Sequence, residues 1–194
     1  MRRPATTSGP FLSEFAVAGC LGASLEAMHP HDDDWEERLA ALWAAIEDHT
    51  AGEFYAELET LLAQLPPDSA VAAFERAGAQ DSTGHPDRAV PLYREALDAG
   101  LHGERRRRAV IQLASSLRNL GQFDESVALL ERERNQSSDS LDDAVAAFLA
   151  LALHDVGRHD EALSLALSAL APHLPRYQRS LTDYARLIAQ NRGR

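Results

Sequence analysis

Histidine and aspartate are most concentrated in two places, His29-Pro30-His31-Asp32-Asp33-Asp34 and His154-Asp155 with His159-Asp160. Both residue types ligate divalent metals. Adjacent residues seldom converge on one ion without a formed loop. The aspartates at 32–34 also stand just before a helical pattern, where carboxylates cap free N–H groups and favour the helix dipole. The second group straddles Gly157, in a turn where polar residues serve solvation. Neither group is assigned as a metal site, and no cofactor is expected. The arginines at 105–108 are the most unusual local run. They cover a full helical turn and cannot all face one way. Two readings stand: a charged face pairing with surplus carboxylates, or an anion-binding rim. The single cysteine, Cys20, lies in the N-terminal segment and is not placed as a nucleophile. There is no Gly-rich phosphate loop, G-x-S-x-G, CxxC or HExxH. Asp/Glu pairs are plentiful, but nothing separates an acid/base dyad from a solvated helical face. The expectation is a protein that is not an enzyme.

Composition narrows the partners. The formal net charge is −11, so a phosphate backbone repels the chain and nucleic acid is not expected. All 19 basic residues are arginine, which reads as the codon bias of a GC-rich, bacterial genome. One cysteine forms no internal disulfide. No apolar run approaches the ~20 residues that span a bilayer, so the chain reads as cytoplasmic, with no membrane partner. Residues 1–30 read as a flexible tail. Val17-Ala18-Gly19-Cys20 is similar to a lipobox, but Ser13 and Glu14 interrupt the apolar stretch that export requires.

Behind these side chains lies a repeat. Four strings recur: Gly52-Glu-Phe54-Tyr-Ala-Glu57, Gly84-His-Pro86-Asp-Arg-Ala89, Gly121-Gln-Phe123-Asp-Glu-Ser126 and Gly157-Arg-His159-Asp-Glu-Ala162. Their glycines are 32, 37 and 36 residues apart. Glycine lets a chain leave a helix through a left-handed residue, and acidic residues after it suit the first turn of the next helix. Val110, Leu113, Ala114 and Leu117 before Gly121, and Ala146, Leu149, Ala150 and Leu153 before Gly157, lie at helical spacing and form buried stripes. Small residues stand seven before each glycine (Ala45, Ala77, Ala114, Ala150) and five after three of them (Ala89, Ser126, Ala162). One helical hairpin cannot bury its apolar face alone, so the units must stack. The spacing predicts helices near 33–49, 53–65, 69–82, 86–99, 104–119, 122–134, 139–156, 158–171 and 175–190.

This pattern resembles the tetratricopeptide repeat, with its ~34-residue unit, turn glycine and small residue early in the second helix. The resemblance covers about residues 36–172 and is closest in the third and fourth units. It implies an all-α fold, a right-handed superhelical solenoid of stacked helix–turn–helix units. The units fall at about 36–67, 68–102, 104–138 and 139–174 within a domain at 31–194, and a capping helix at 175–190 presents Arg176, Gln178, Arg179, Asp183 and Arg186 outward. It also implies that the first helix of each pair lines a groove. Carried over position by position, the groove residues are Phe74 in the second unit, Arg108, Ile111, Ser115, Arg118 and Asn119 in the third, and Ala147, Leu151 and His154 in the fourth. The expected function is a non-catalytic scaffold that holds a protein or a peptide, one carrying a carboxylate suiting the arginine and asparagine donors. The alternative is a self-associating adaptor, a homodimer formed through solenoid ends or the N-terminal apolar segment.

Overall fold

The computed structural model describes residues 32–136 and 138–190. The lipobox-like string and His29 and His31 lie outside the described residues. Among those described the regular structure is helical throughout. The chain forms two compact units that divide between Pro67 and Asp68.

The first unit is a hairpin of α1 (Asp32–Ala44) and α2 (Ala51–Leu62), with a short 3-10 turn at Ile46–Asp48 between them. Trp35, Leu39 and Leu42 from α1 and Phe54, Leu58 and Leu62 from α2 are buried at spacings of three and four residues. The Trp43 and Phe54 rings meet edge to face at 5.0 Å, and Trp35 Nε1 donates to the Leu61 carbonyl at 3.0 Å. The hairpin does not turn at Gly52, which sits inside the first turn of α2. The turn precedes Thr50, whose side chain accepts from the Glu53 N–H while the Glu53 carboxylate accepts from the Thr50 N–H at 2.9 Å. This capping box requires Thr50 in an extended conformation, so α1 cannot run on to residue 49.

The second unit runs through α3 (Ala70–Ser82), α4 (Pro86–Asp98), α5 (Gly103–Asn119), α6 (Phe123–Arg134), α7 (Asp142–Asp155), α8 (His159–Leu170) and α9 (Gln178–Gln190). Each helix packs on the next, and α5 also packs on α3 and α7, so first helices lie against first helices. Gly84, Gly121 and Gly157 occupy equivalent bends with φ of +83°, +76° and +78°. At each, the glycine N–H and the N–H after it bond back to the ended helix. The pairs are Gly84 to Asp81 and His85 to Gln80, Gly121 to Arg118 and Gln122 to Leu117, and Gly157 to His154 and Arg158 to Leu153, all at 2.8–3.0 Å. This is the Schellman wiring, which satisfies carbonyls the helix end leaves open. Nothing would crowd a Cβ at these glycines, so the cost of any other residue is the left-handed backbone itself, ~1–2 kcal/mol.

The small residues predicted around the turns of the second unit are buried, whereas Ala45 in the first unit is only half-buried. Ala77, Ala114 and Ala150 on first helices oppose Ala89, Ser126 and Ala162 on second helices. Ser126 fits where alanine stands in its counterparts because its hydroxyl donates to the Ala114 carbonyl at 2.8 Å. Two cores result. One joins Phe74, Ala77, Val90, Tyr93, Leu113 and Leu117, and the other joins Ile111, Ala114, Leu130, Val145, Leu149 and Leu153. Helix α5 contributes to both and is covered on two sides. Pro86 starts α4 at a position that needs no N–H donor. At the C-terminal end α9 packs on α8 through Ala185, whose carbonyl accepts from Ser164 Oγ at 2.7 Å. It begins at 178, not 175, because Tyr177 takes a left-handed φ of +70°. Arg176, Gln178, Arg179, Asp183 and Arg186 face solvent.

Candidate functional site

The arginines at 105–108 open α5, and each points toward a different neighbour. Arg105 Nε donates to Glu75 on α3 at 3.3 Å. Arg106 grips both carboxylate oxygens of Glu133 on α6 at 2.7 and 2.8 Å and reaches Gln136 Oε1 at 3.0 Å. Arg107 is 2% exposed and ties Asp139 at 3.3 Å and Asp142 at 2.6 Å, at the start of α7. Arg108 lies over the Phe74 ring, 5.5 Å from its centre, close enough for a cation–π contact. The 100° advance per residue distributes four consecutive guanidinium groups over three helices. Arg105, Arg106 and Arg107 therefore pair with carboxylates of this chain and do not form an anion-binding rim. A depression of about 410 Å³ opens beside Gly103, Arg106, Arg107 and Asp139, and its arginines already face Glu133, Asp139 and Asp142. The Asp142 carboxyl is held below the usual carboxylate range, first by the Ser138 hydroxyl, then by the Asp139 N–H and by Arg107.

The residues expected to line a groove separate into two groups. Phe74 is 2% and Ile111 5% exposed; both belong to the cores and present no surface. Arg108 lies against Phe74 and is half-buried. The others form an edge where α5 and α7 run side by side. Ser115 is half-buried, Asn119 and Ala147 are exposed, and Leu151 is 47% exposed. Arg118 crosses from α5 to Asp155 on α7 through a 2.6 Å ion pair. His154 is exposed beside that pair and meets His159 across the Gly157 turn, Nδ1 to Nδ1 at 3.1 Å. This edge offers an apolar centre, Leu151 and Ala147, flanked by Asn119, Arg118 and His154.

Further ion pairs lie outside the arginine run. Arg94 on α4 pairs with Glu125 on α6 at 2.6 Å. Arg158 holds Glu161 in two bonds of 2.6 and 2.7 Å and Glu131 in a third of 2.9 Å. A buried polar group lies where α3, α4 and α5 meet. The Tyr93 and Ser116 hydroxyls are fully buried. They flank Asp81 near the end of α3. Burial pushes the Asp81 carboxyl up to about 6, against the pull of the Ser116 and Tyr93 hydroxyls, which favour its charged form. The Tyr93 phenol is pushed well above its usual range, by burial first and then by the nearby Asp81 and Glu75 charges. No described helix is long and apolar enough to cross a membrane.

A family profile described as Tetratrico peptide repeat matches residues 70–188, more than half of the chain. No curated protein matches the chain, and no solved structure does.

Proposed function

This chain belongs to the tetratricopeptide repeat family, and from that premise we propose that it is a non-catalytic scaffold that binds a protein or peptide along the exposed edge of α5 and α7. One observation carries the reading. Leu151 stands open to solvent between Ala147 and His154, beside Asn119 and the Arg118–Asp155 pair. Small apolar patches bordered by fixed polar groups are the usual form of peptide anchors. A bound segment would bury its own apolar side chain on Leu151 and Ala147. A carboxylate on that segment would accept from Asn119 and compete with Asp155 for Arg118.

The test begins with partners recovered from the native host on the immobilised full chain and identified by mass spectrometry. The recovered partner is then titrated against wild-type protein and Leu151→Arg. Losing one buried leucine contact removes about 1.5–3 kcal/mol, so the Kd is expected to rise at least about tenfold. Leu151 is exposed, so the circular dichroism spectrum and thermal midpoint should not change. Binding of equal strength by both proteins would remove this edge from the reading.

A second reading is favoured by the C-terminal helix. Tyr184 and Leu187 on α9, with Tyr177 just before it, stand exposed, which suits self-association through the end of the array. Light scattering on the full chain and on residues 31–194 decides it. A monomer mass for both removes homo-association, while a dimer that persists without residues 1–30 assigns it to the helical part.

A further inference from the structure

His154 occupies the last turn of α7 and His159 the first position of α8. The bend between them is fixed on several sides. The Gly157 and Arg158 N–H groups bond back to the His154 and Leu153 carbonyls, and the Arg158 guanidinium is anchored on Glu161 and Glu131. The two imidazoles are therefore presented by a rigid turn and not by free loops. Their centroids are 4.6 Å apart, their planes are inclined at 50°, and their Nδ1 atoms are 3.1 Å apart. Both residues are exposed. Two neutral rings cannot both accept at that distance. Either one Nδ1 carries the proton and donates to the other, or a cation lies between two lone pairs.

The separation suits a metal. Two metal–nitrogen bonds of about 2.0–2.1 Å place their nitrogens about 2.9 Å apart at a right angle and about 3.4 Å apart at the tetrahedral angle. The observed 3.1 Å falls between these limits. We infer that His154 and His159 form a two-imidazole site for a late divalent transition metal, of the class of Zn²⁺, Ni²⁺ or Cu²⁺, bound through the two Nδ1 atoms. Imidazole is a preferred ligand of these ions. The α7 C-terminus carries partial negative charge and Asp160 in the first turn of α8 adds a carboxylate, set against the partial positive charge of the α8 N-terminus; the Arg158 charge is taken up by Glu161 and Glu131. Among the described residues no third His, Cys, Asp or Glu completes a set of three. The site is thus open, with water in the remaining positions. It lies at the His154 end of the α5/α7 edge, so those positions face any segment docked there. The site itself does not depend on that docking.

The experiment is a titration of the full chain with zinc chloride, followed by long-range ¹H–¹⁵N correlation of the histidine rings. That readout separates this pair from the other six histidines. The expected result is a joint shift of the His154 and His159 Nδ1 resonances that saturates at one ion per chain. His154→Ala and His159→Ala are each expected to weaken this response at the remaining ring by at least about tenfold, no less than the loss of an outer-shell partner costs. Their thermal midpoints should match wild type, because both side chains are exposed. Unchanged Nδ1 resonances, a shift of one ring alone, or an undiminished response in either variant would overturn the site and leave an N–H···N hydrogen bond as the whole account of the contact.

Discussion

Glu133→Ala is expected to lower the unfolding free energy by about 3–5 kcal/mol, the range for removing one member of a buried ion pair. Glu133 lies in the last turn of α6 and is 1% exposed. Arg106 holds both of its oxygens and Arg107 Nε lies 3.8 Å from one of them. Without the carboxylate, Arg106 can turn toward water, since about a third of its side chain is already exposed. Arg107 cannot follow, because it is enclosed and held at its far end by Asp139 and Asp142. The loss therefore measures a guanidinium left partly uncompensated in a low-dielectric setting, not the net worth of the pair. Glu133→Gln keeps the shape and one acceptor and should fall between the two. Urea unfolding followed by circular dichroism at pH 7 reads both variants. A Glu133→Ala loss below about 0.5 kcal/mol, the scale of an ordinary surface change, would mean that water reaches this network and that it does not tie α5 to α6 and α7.

The contrast between the turns and this network shows what a single chain reveals of its fold. Gly84, Gly121 and Gly157 were legible because a left-handed helix end favours one residue type, so the requirement is written at a single position. Ala77, Ala114 and Ala150 were legible for a similar reason, since close helix approach leaves room only for small side chains. Gly52 lies at a comparable spacing but serves no turn. The Thr50…Glu53 capping signature was the stronger local signal there, and it places the helix start before the glycine. The partners of Arg105, Arg106 and Arg107 were not legible. They lie 27 to 35 residues away on three other helices, and only packing decides which of many acidic residues meets which arginine. Repeat register also gives a face without giving depth. Phe74 and Ile111 stand at groove positions of the family pattern, yet α5 is covered on two sides and Arg108 closes over Phe74, so both are core. Asp81 went unread because an acid near a helix end ordinarily faces water.

Asp81→Asn is expected to stabilise the protein at pH 7.5 by up to about 3 kcal/mol. The carboxyl is raised from 3.8 to about 6. Between those values the folded chain keeps a proton that the unfolded chain has released, so folding stability falls as pH rises through the interval. At about 1.4 kcal/mol for each pH unit of displacement, the full cost of close to 3 kcal/mol is in place once pH passes the folded value. Near pH 4.5 only about a third of it has developed. Asparagine has the same shape, never ionises, and can still accept from the Tyr93 or Ser116 hydroxyl. It also removes a negative charge from the last turn of α3, where the helix dipole disfavours it. Glu53 and Asp142 have lowered values and contribute with the opposite sign, so the test is the difference between variant and wild type, in which those contributions cancel. Urea unfolding of both proteins at pH 4.5, 6 and 7.5 is expected to show a gap that widens with pH. A gap that stays flat, or a variant less stable than wild type at pH 7.5, would mean that the Asp81 carboxylate is charged and well solvated in the folded chain, with the Tyr93 and Ser116 hydroxyls acting as its donors.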